Sequence, residues 1–582
     1  MASIRRVLPF AASTTPVQAV TYLLGISLFS ISFLVFLNSS VSFVITDLIG
    51  QKKGVGNVVG TLGFADELVA LVACPAWGLV SDRLGVRWVA VIGYAIVGLA
   101  LVLFVQAKNV YPELLLARIF FAVGGSATAT MVTAILPTLT DDGNEPPSNA
   151  YESVRTGRDR HSVGRLSLAF SVESEATITP DVYTRSISNE RRPSVASDTP
   201  GKAGKSSVLA GYVGLFTGCG ALLALSFFLP LPAQFGEVDG VTPGKAVEYS
   251  FYIVGAVALV VSVFVSFGLR DIKSEEGKGW RLLLGLKPHD GDQEDAHVFP
   301  GGRAPRKVIP YLHLIQDSVL LGFTDSRIAL GYLGGFVARA STVAISLFIP
   351  LFINTFFIRN GFCQGSPNDP SPELKKECRE AYILSSILTG VAQLMGLICA
   401  PLFGHASSRT GRVNYPIVVA TVFGIIGYII LPRLSSPEIK NVDGRGGSPI
   451  IFLVVSLIGI SQIGSIVCSL GSLGRGILAV DVPRTARRTS YLAPDEDEST
   501  EGEPLIRLSS QDESGSRVKL KGSIAGVYSL CGGAAILILT KVGGLLFDKW
   551  SNGVPFYMMA IFNAILLVAT LLVDASQTFR RQ

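Results

Sequence analysis

Long apolar runs recur along this chain, and they constrain its fold more than any other feature of the sequence. Many are about 18 residues or longer, which is the length that a helix needs to cross the hydrocarbon core of a bilayer. Only 16% of the residues are charged, whereas an average soluble domain has about a quarter. The chain is therefore expected to be an all-α membrane protein, and we count twelve predicted spans.

The predicted spans divide the 582 residues into blocks of helices separated by polar segments. Arginines and lysines concentrate in alternate loops, which places both termini in the cytosol by the positive-inside rule. Residues 141–206 and 478–520 combine low hydrophobicity with many charges and are predicted to be disordered cytosolic loops. Between the sixth and seventh predicted spans, residues 309–323 are predicted to form an amphipathic helix on the membrane surface. The expected organisation is spans 1–4 in 1–140, a loop in 141–206, spans 5–6 in 207–270, an inter-bundle linker in 271–326, spans 7–10 in 327–477, an acidic loop in 478–520 and spans 11–12 in 521–575.

A hidden repeat indicates that the twelve spans form two halves. The stretch GLVSDRLGVR (78–87) aligns with GHASSRTGRV (404–413) at an offset of 326 residues. The matched residues are Gly78, Arg83 and Gly85 in the first copy and Gly404, Arg409 and Gly411 in the second. A weaker echo links residues 210–221 with 525–535, in the fifth and eleventh spans. Two parallel six-span repeats are typical of one large transporter class.

The first copy resembles the signature of the major facilitator superfamily, G-x-x-x-D-R-x-G-x-R, at Gly78, Asp82, Arg83, Gly85 and Arg87. This resemblance implies two six-helix bundles related by a pseudo-twofold axis, which rock about a central cavity lined by the first, fourth, seventh and tenth spans. The C-terminal spans also resemble poorly characterised fungal facilitators, some of them vacuolar. That similarity favours the vacuolar membrane over the plasma membrane.

The residue types of the motif fit a contact between the two halves. Gly78 has no side chain, so a helix of the other half can approach it closely. Asp82 is expected to face the start of the eleventh span, where unpaired backbone N–H groups attract a carboxylate.

The remaining charges of the motif are expected to complete a cluster that holds the cytosolic side shut. Arg83 and Arg87 would contact Asp141 and Asp142, just past the fourth span. The second copy has Ser408 in place of the aspartate, so a weaker contact is expected there. The alternative for both copies is static packing of a loop.

Several charges lie inside predicted spans, where each costs about 3 kcal/mol on insertion scales. Asp66 and Glu67 are in the second span, and Arg118 is in the fourth. Adjacent helical residues point about 100° apart, so one acid is expected to pair with Arg118 while the other meets water or substrate. Alternate wetting and drying of such a pair would bind and release a proton, which is a route to proton coupling. The alternative is a purely structural ion pair. Arg118 also resembles the fourth-span arginine of proton-coupled facilitators.

Arg339 in the seventh span would, together with Arg118, give the cavity a positive character suited to a carboxylate or another anion. The alternative is an arginine satisfied by backbone carbonyls. Further polar candidates for the cavity, which more often join helices than bind ligands, are Asn38, Asn354 and Gln462.

The loops carry three short signals. RRPS and RRTS match a basophilic kinase pattern at Ser194 and Ser490. EGEPLI resembles an acidic dileucine sorting signal through Glu501, Leu505 and Ile506. These signals imply a kinase and a sorting adaptor as partners, and chance matches are the alternative.

The other expected features concern cysteines, cofactors and partners. Cys363 and Cys378 lie in a loop on the non-cytosolic side, where an oxidising lumen would permit a disulfide. No cofactor, metal site, nucleic-acid partner or enzymatic activity is expected, because no nucleophile–base or metal-ligand pattern occurs. A monomer in the bilayer is expected.

The sequence thus predicts a secondary active transporter of a small solute that works by alternating access and is coupled to protons. Two alternatives stay open. One is a facilitated uniporter in which Asp66, Glu67 and Arg118 are structural. The other is a transporter-like nutrient receptor that signals through its cytosolic loops.

Overall fold

The computed structural model describes residues 9–51, 55–140, 200–236, 240–272, 275, 278–283, 311–360, 379–409, 414–440, 446–478 and 520–579. Within these ranges, twelve helices are long and apolar enough to cross a membrane. Numbered α1 to α12, they span Pro16–Leu48, Val58–Leu84, Val86–Phe104, Val110–Thr140, Gly204–Phe228, Gly244–Gly268, Ser326–Arg359, Ile383–Arg409, Tyr415–Arg433, Ile450–Ile477, Lys521–Lys549 and Val554–Thr578. The predicted number of spans is confirmed.

Helices form here because a bilayer offers no water to backbone N–H and C=O groups, so each span must satisfy them internally. Capping residues and glycines set where the helices begin and end. Thr15 and Gln18 form a reciprocal capping box at the start of α1, and the Gln18 amide also donates to the backbone carbonyl of Arg270 at the end of α6. Gly85 separates α2 from α3 with a φ of 98°, a left-handed conformation that a residue with a side chain rarely adopts.

The packing of the helices repeats between the two halves of the chain. In the first half α3 packs on α4 and α6, α2 packs on α4, and α1 packs on α5. The second half has the equivalent contacts, α9 with α10 and α12, α8 with α10, and α7 with α11. Between the halves α2 packs on α11, and α8 packs on α5. The molecule is therefore two six-helix bundles related by a pseudo-twofold axis, as predicted.

Helices α5 and α11 also share a local irregularity. Each contains a π-helical turn near its far end, at Ala224–Phe228 in α5 and Leu539–Gly543 in α11. The two turns are 315 residues apart, which is also the offset between Ala210 and Ala525 in the weaker sequence repeat. Other π-helical turns occur in α1, α4 and α7, but the pair in α5 and α11 matches the offset of the weaker sequence repeat.

The described structure differs from the prediction at the boundary between the first polar loop and the fifth span. The helix that contains α5 begins at Pro200, although residues 200–206 were expected to belong to a disordered loop. Proline is well suited to the first turn of a helix, and the apolar run that follows extends this helix into polar sequence. Residues 141–199 and 479–519 lie outside the described part of the chain.

The linker between the bundles contains the expected surface helix, here Tyr311–Thr324. One face packs on α7, where the Tyr332 hydroxyl donates to the carbonyl of Ser318. The opposite face exposes Val319, Leu320 and Phe323. The exposed surface of this helix also carries polar side chains, among them Asp317, so it is amphipathic as predicted.

An even number of antiparallel spans brings the start of α1 and the end of α12 to one side of the molecule. We call this the termini side, and the other the far side. The turn between α2 and α3, the linker and the start of α11 also lie on the termini side.

Candidate functional site

Three helices of the first bundle meet at a buried ion pair. The Arg118 Nε of α4 donates to both carboxylate oxygens of Asp66 on α2, at 2.9 and 2.7 Å, and one terminal guanidinium nitrogen also contacts Asp66. The same nitrogen donates to the Asn38 side-chain oxygen of α1. Only 3% of the Arg118 side chain and 15% of the Asp66 side chain are exposed. The other terminal nitrogen of Arg118, Nη1, is buried without a hydrogen-bond partner.

Glu67 follows Asp66 in the chain but has a different environment. Its side chain is partly exposed, and within the described part of the protein no group forms a hydrogen bond or ion pair with it. The guanidinium groups of Arg339 and Arg118 lie within electrostatic range of its carboxylate. The two neighbouring acids are thus divided as the 100° helical spacing predicts, with Asp66 paired and Glu67 without a direct partner.

Arg339 approaches this site from the second bundle. It lies in the middle of α7, and its aliphatic stem packs over Gly532 of α11, where an added Cβ would come within 2.7 Å of Arg339 Cγ. The Arg339 side chain is partly exposed and has no hydrogen-bonding partner among the described residues. A guanidinium from one bundle and a carboxylate from the other thus face the same region between the bundles.

These groups lie at comparable depth. Asp66 and Arg118 are each eight residues from the far-side ends of their helices, and Asn38 is ten, or about 12–15 Å at 1.5 Å per residue. From the termini-side ends, Glu67 is 17 residues and Arg339 is 13 residues away, or about 20–25 Å. By this measure Asp66, Glu67 and Arg118 lie closer to the far side, whereas Arg339 lies closer to the termini side.

The other polar candidates form no hydrogen bond with this cluster in the described part of the protein. The Gln462 side chain of α10 is buried and donates to the Thr342 hydroxyl of α7 at 3.0 Å. Asn354 is partly buried near the far-side end of α7. The contact of Gln462 joins two helices of one bundle, which is a common role of amides in membranes.

On the termini side, the motif residues of α2 contact the start of α11. The Asp82 carboxylate accepts hydrogen bonds from the backbone N–H groups of Gly522 and Ser523, each at 2.7 Å, and from the Ser523 hydroxyl. Gly78 lies against the same helix, and an added Cβ would collide with the carbonyl oxygen of Gly522 and come within 3.1 Å of Gly526 Cα. The carboxylate thus binds the N-terminal end of α11, where unpaired N–H groups carry partial positive charge.

The second copy of the motif makes the equivalent close approach without the carboxylate. Gly404 of α8 packs on Gly211 of α5, where an added Cβ on Gly404 would come within 2.7 Å of Gly211 Cα. The Ser408 hydroxyl donates to the carbonyl of His405 in its own helix. Arg409 is exposed, and Gly411 lies outside the described residues. At this crossing the structure thus has the close approach of helices without the hydrogen bonds of Asp82.

The expected partners of the motif arginines, Asp141 and Asp142, lie outside the described residues. The Arg87 Nε donates to the carbonyl of Ser266 in α6 at 2.9 Å. Arg83 is buried next to Asp82. Both arginines therefore contribute to the termini-side end of the first bundle.

Sequence reasoning missed a further ion cluster at this end. Glu275, just after α6, accepts from the backbone N–H of Val86 at 2.9 Å and pairs with Lys278 at 3.3 Å and with Lys521 of α11. Burial alone would raise the pKa of the Glu275 carboxyl, but the Lys521 and Lys278 ammonium groups and the Val86 N–H hold its pKa below the ordinary value of 4.5. The run of charged residues after the sixth span was the one signal of this cluster in the sequence. It gave no indication that Glu275 pairs with Lys521, which is 246 residues further along the chain.

Several sequence predictions fall outside the described residues. They are the phosphorylation candidates Ser194 and Ser490, the sorting candidates Glu501, Leu505 and Ile506, and the disulfide candidates Cys363 and Cys378. In the described ranges five cysteines are free, and no group of three or more His, Cys, Asp or Glu side chains could hold a metal ion.

The fold is similar to those of solved transporter structures. The sequence profile of the Major Facilitator Superfamily matches residues 28–148. The solved structure of the proton:xylose symporter XylE bound to 6-bromo-6-deoxy-D-glucose is similar with a TM-score of 0.50 at 11% identity, over 95% of this chain and 94% of that one. The chain has the major facilitator superfamily fold.

A second structure with this facilitator fold is the human organic anion transporter MFSD10 (TETRAN), with a TM-score of 0.50 at 11% identity over 96% of this chain and 100% of that one. Among curated proteins, none matches the sequence. The facilitator fold accounts for the twelve spans, the internal repeat and the position of the motif between α2 and α3.

Proposed function

We propose that this protein is a secondary active transporter that carries a small solute by alternating access, with Glu67 as the group that binds and releases the coupling proton. One observation carries the proposal. Glu67 is a carboxyl deep in the membrane-spanning region that lacks a direct partner among the described residues, and a guanidinium of the opposite bundle is within its electrostatic range.

The cost of charge inside a membrane gives Glu67 this role. An isolated carboxylate in a low-dielectric region is expensive, and protonation removes the charge. Asp66 does not need this remedy, because Arg118 neutralises it directly. Rocking of the bundles would change the separation between Glu67 and Arg339, and so change the cost of leaving Glu67 ionised.

The packing of the bundles supports alternating access. On the termini side they meet at glycine contacts in α2–α11 and α5–α8, and Leu136 of α4 packs against Gly474 of α10. Glu67 and Asn38 nevertheless retain exposed surface. Close backbone contacts on the termini side, with exposed surface left at Glu67 and Asn38, support a carrier closed on the termini side in this state.

Transport by sealed vesicles tests this proposal. Purified protein in liposomes loaded with a pH-sensitive dye is offered hexoses, nucleosides, amino acids and monocarboxylates, with and without a pH gradient. We expect one class to be concentrated by the gradient and to bring protons with it. The Glu67→Gln variant should lose concentrative uptake but still exchange solute, because the neutral amide mimics the protonated acid. Asp317→Asn, at an exposed position on the surface helix, is the matched control and should behave as the wild type.

Other outcomes favour the alternatives. Solute movement that ignores the pH gradient in the wild type would favour a facilitated uniporter. Solutes that stabilise the protein without crossing the membrane would favour a receptor. Cytosolic termini, a vacuolar location and use of the loop signals remain predictions, which epitope accessibility and imaging of the tagged full chain would test.

A further inference from the structure

We propose that the transported solute is a monoanion with a carboxylate group, which binds Arg339 and crosses together with one proton on Glu67, so that no net charge moves. This proposal rests on the proposed function and adds the chemical class of the solute and the stoichiometry. It follows from the charges that the two bundles bring to the central region.

The central charges balance when both acids are ionised. Asp66 and Glu67 contribute two negative charges, and Arg118 and Arg339 contribute two positive charges. Lys541 of α11 lies at a depth similar to that of Asp66, but its exposed ammonium is 3.9 Å from the centre of the Phe64 ring and it is not among the charges that act on Glu67. The remaining titratable groups that face this region from α2 and α11 are two thiols and a phenol, Cys74, Cys531 and Tyr528.

Half of this balance is fixed and half is adjustable. The Asp66–Arg118 pair is buried and bonded through both carboxylate oxygens, so its charges cancel in any state that preserves the pair. Glu67 and Arg339 belong to different bundles and have no direct bond to each other in the described structure. When Glu67 takes up a proton, the positive charge of Arg339 has no compensating charge.

An anion would restore the balance. With Glu67 protonated, the empty site carries one net positive charge, and one bound negative charge makes it neutral. Each partner therefore favours the other, because the affinity that a proton adds for the anion must equal the affinity that the anion adds for the proton. A neutral solute would leave the loaded site with a charge of +1, and a dianion with −1. Either charge would raise the cost of moving the site through a low-dielectric region.

The donor atoms match a carboxylate. A guanidinium presents a planar fork of N–H groups that pairs with the two oxygens of a carboxylate. Arg118 adds Nη1, which is buried without a hydrogen-bond partner, and an unsatisfied buried donor of this kind costs roughly 1–3 kcal/mol. An acceptor oxygen of the solute that reached this nitrogen would remove that cost.

Matched acids and amides test the chemical class. The purified full chain is titrated with acetate, lactate, pyruvate, benzoate and nicotinate, and with the corresponding amides, by calorimetry in two buffers of different ionisation enthalpy. We expect at least one acid to bind with uptake of about one proton and its amide not to bind. Preferential binding of the amides, or no binding by any member of the panel, would overturn the proposal. Inorganic phosphate is the additional arm that separates a carboxylate from another oxyanion, and binding of phosphate alone would overturn the carboxylate assignment.

Electrical recording tests the stoichiometry. Proteoliposomes on a solid-supported membrane should show transport of the acid without a net current, and clamping the membrane potential with potassium and valinomycin should not change the rate. A current with the sign of a proton would overturn electroneutral transport while leaving proton coupling intact. Loss of all pH dependence would instead contradict the proposed function, so the two failures are distinguishable.

Variants of Arg339 connect the result to this site. Arg339→Gln should weaken binding of the acid roughly 10–100-fold, the range expected for loss of a charge-assisted hydrogen bond. Arg339→Lys retains the charge and should retain one proton per anion at lower affinity, which separates charge from misfolding. Unchanged affinity in a folded Arg339→Gln protein would place the anion elsewhere and overturn the proposal.

Discussion

At the scale of single residues, two adjacent carboxyl groups have opposite situations. Asp66 is neutralised by Arg118, which also donates a hydrogen bond to Asn38 of α1, whereas Glu67 has only long-range compensation from arginines. The difference arises from helical geometry, because a rotation of about 100° turns the second acid away from the partner of the first. One group can therefore stabilise the bundle while its neighbour titrates.

The two acids should respond differently to loss of charge. Asp66→Asn leaves the Arg118 charge buried without compensation, and removal of one partner of a buried pair typically costs about 3–5 kcal/mol. Thermal unfolding in detergent should therefore show a marked loss of stability for Asp66→Asn and little change for Glu67→Gln. Equal destabilisation by both substitutions would contradict the assignment of Asp66 to structure and Glu67 to coupling.

At the scale of helices, glycines decide where the two bundles touch. The sequence repeat identified Gly78 and Gly404, and the weaker echo included their partners Gly526 and Gly211. The structure joins these as equivalent crossings of α2 with α11 and of α5 with α8. The sequence pattern alone could therefore locate the two helix crossings, because an internal repeat places equivalent glycines at equivalent positions along their helices.

A methyl group at the first crossing should separate the helices. In Gly78→Ala the Cβ would meet the backbone of Gly522, which cannot move aside as a flexible side chain can. Gly63→Ala, in the same helix, is the control because nothing lies within 4 Å of its added Cβ. In a cysteine-free background with Leu136→Cys, Gly78→Ala should accelerate maleimide labelling at the termini side several-fold and Gly63→Ala should not. Similar labelling rates in both would mean that the crossing does not hold that side closed.

The sequence was less informative about contacts between distant helices. It placed Asp82 opposite the start of α11, because a carboxylate and a helix N-terminus are complementary. It did not find Glu275 or Lys521, since a charged loop residue normally stays in water and nothing local reveals that it is buried. Whether such a residue is buried depends on packing between segments that are distant in the chain, and a single sequence does not show that packing.

At the scale of the whole molecule, the ion cluster of Glu275 connects the two halves of the chain. Glu275 follows the first bundle, and Lys521 opens α11 of the second. Only 1% of the Lys521 side chain is exposed, so its charge depends on the carboxylate. The cluster and the Asp82 contacts are on the same side and act in the same direction, toward closure of the termini side.

This arrangement predicts a defined dependence on pH. The folded protein holds the pKa of Glu275 below 4.5, so the stabilisation is present above that pH and is lost as pH falls through the lowered pKa. Glu275→Gln should lower stability at pH 7 by about 3–5 kcal/mol, the cost of breaking a buried pair. The difference between wild type and variant in thermal unfolding should shrink as the pH falls below 4.5.

The matched control is Asp317→Asn, whose carboxyl is exposed on the surface helix. It should track the wild type at every pH. A difference between wild type and Glu275→Gln that stays constant down to pH 3 would contradict the ionic origin of the stabilisation.

The paired π-helical turns of α5 and α11 have a mechanical consequence. Such a turn holds one residue more than the α-helical turn it replaces, and its greater width accommodates that residue without turning the helix beyond it. Removing one residue from Leu539–Gly543 should therefore let this turn become α-helical while Gly544–Lys549 keeps its direction. After such a deletion α5 would retain its wide turn and α11 would not, so the two helices would lose their equivalence, and a matching deletion in Ala224–Phe228 should restore it.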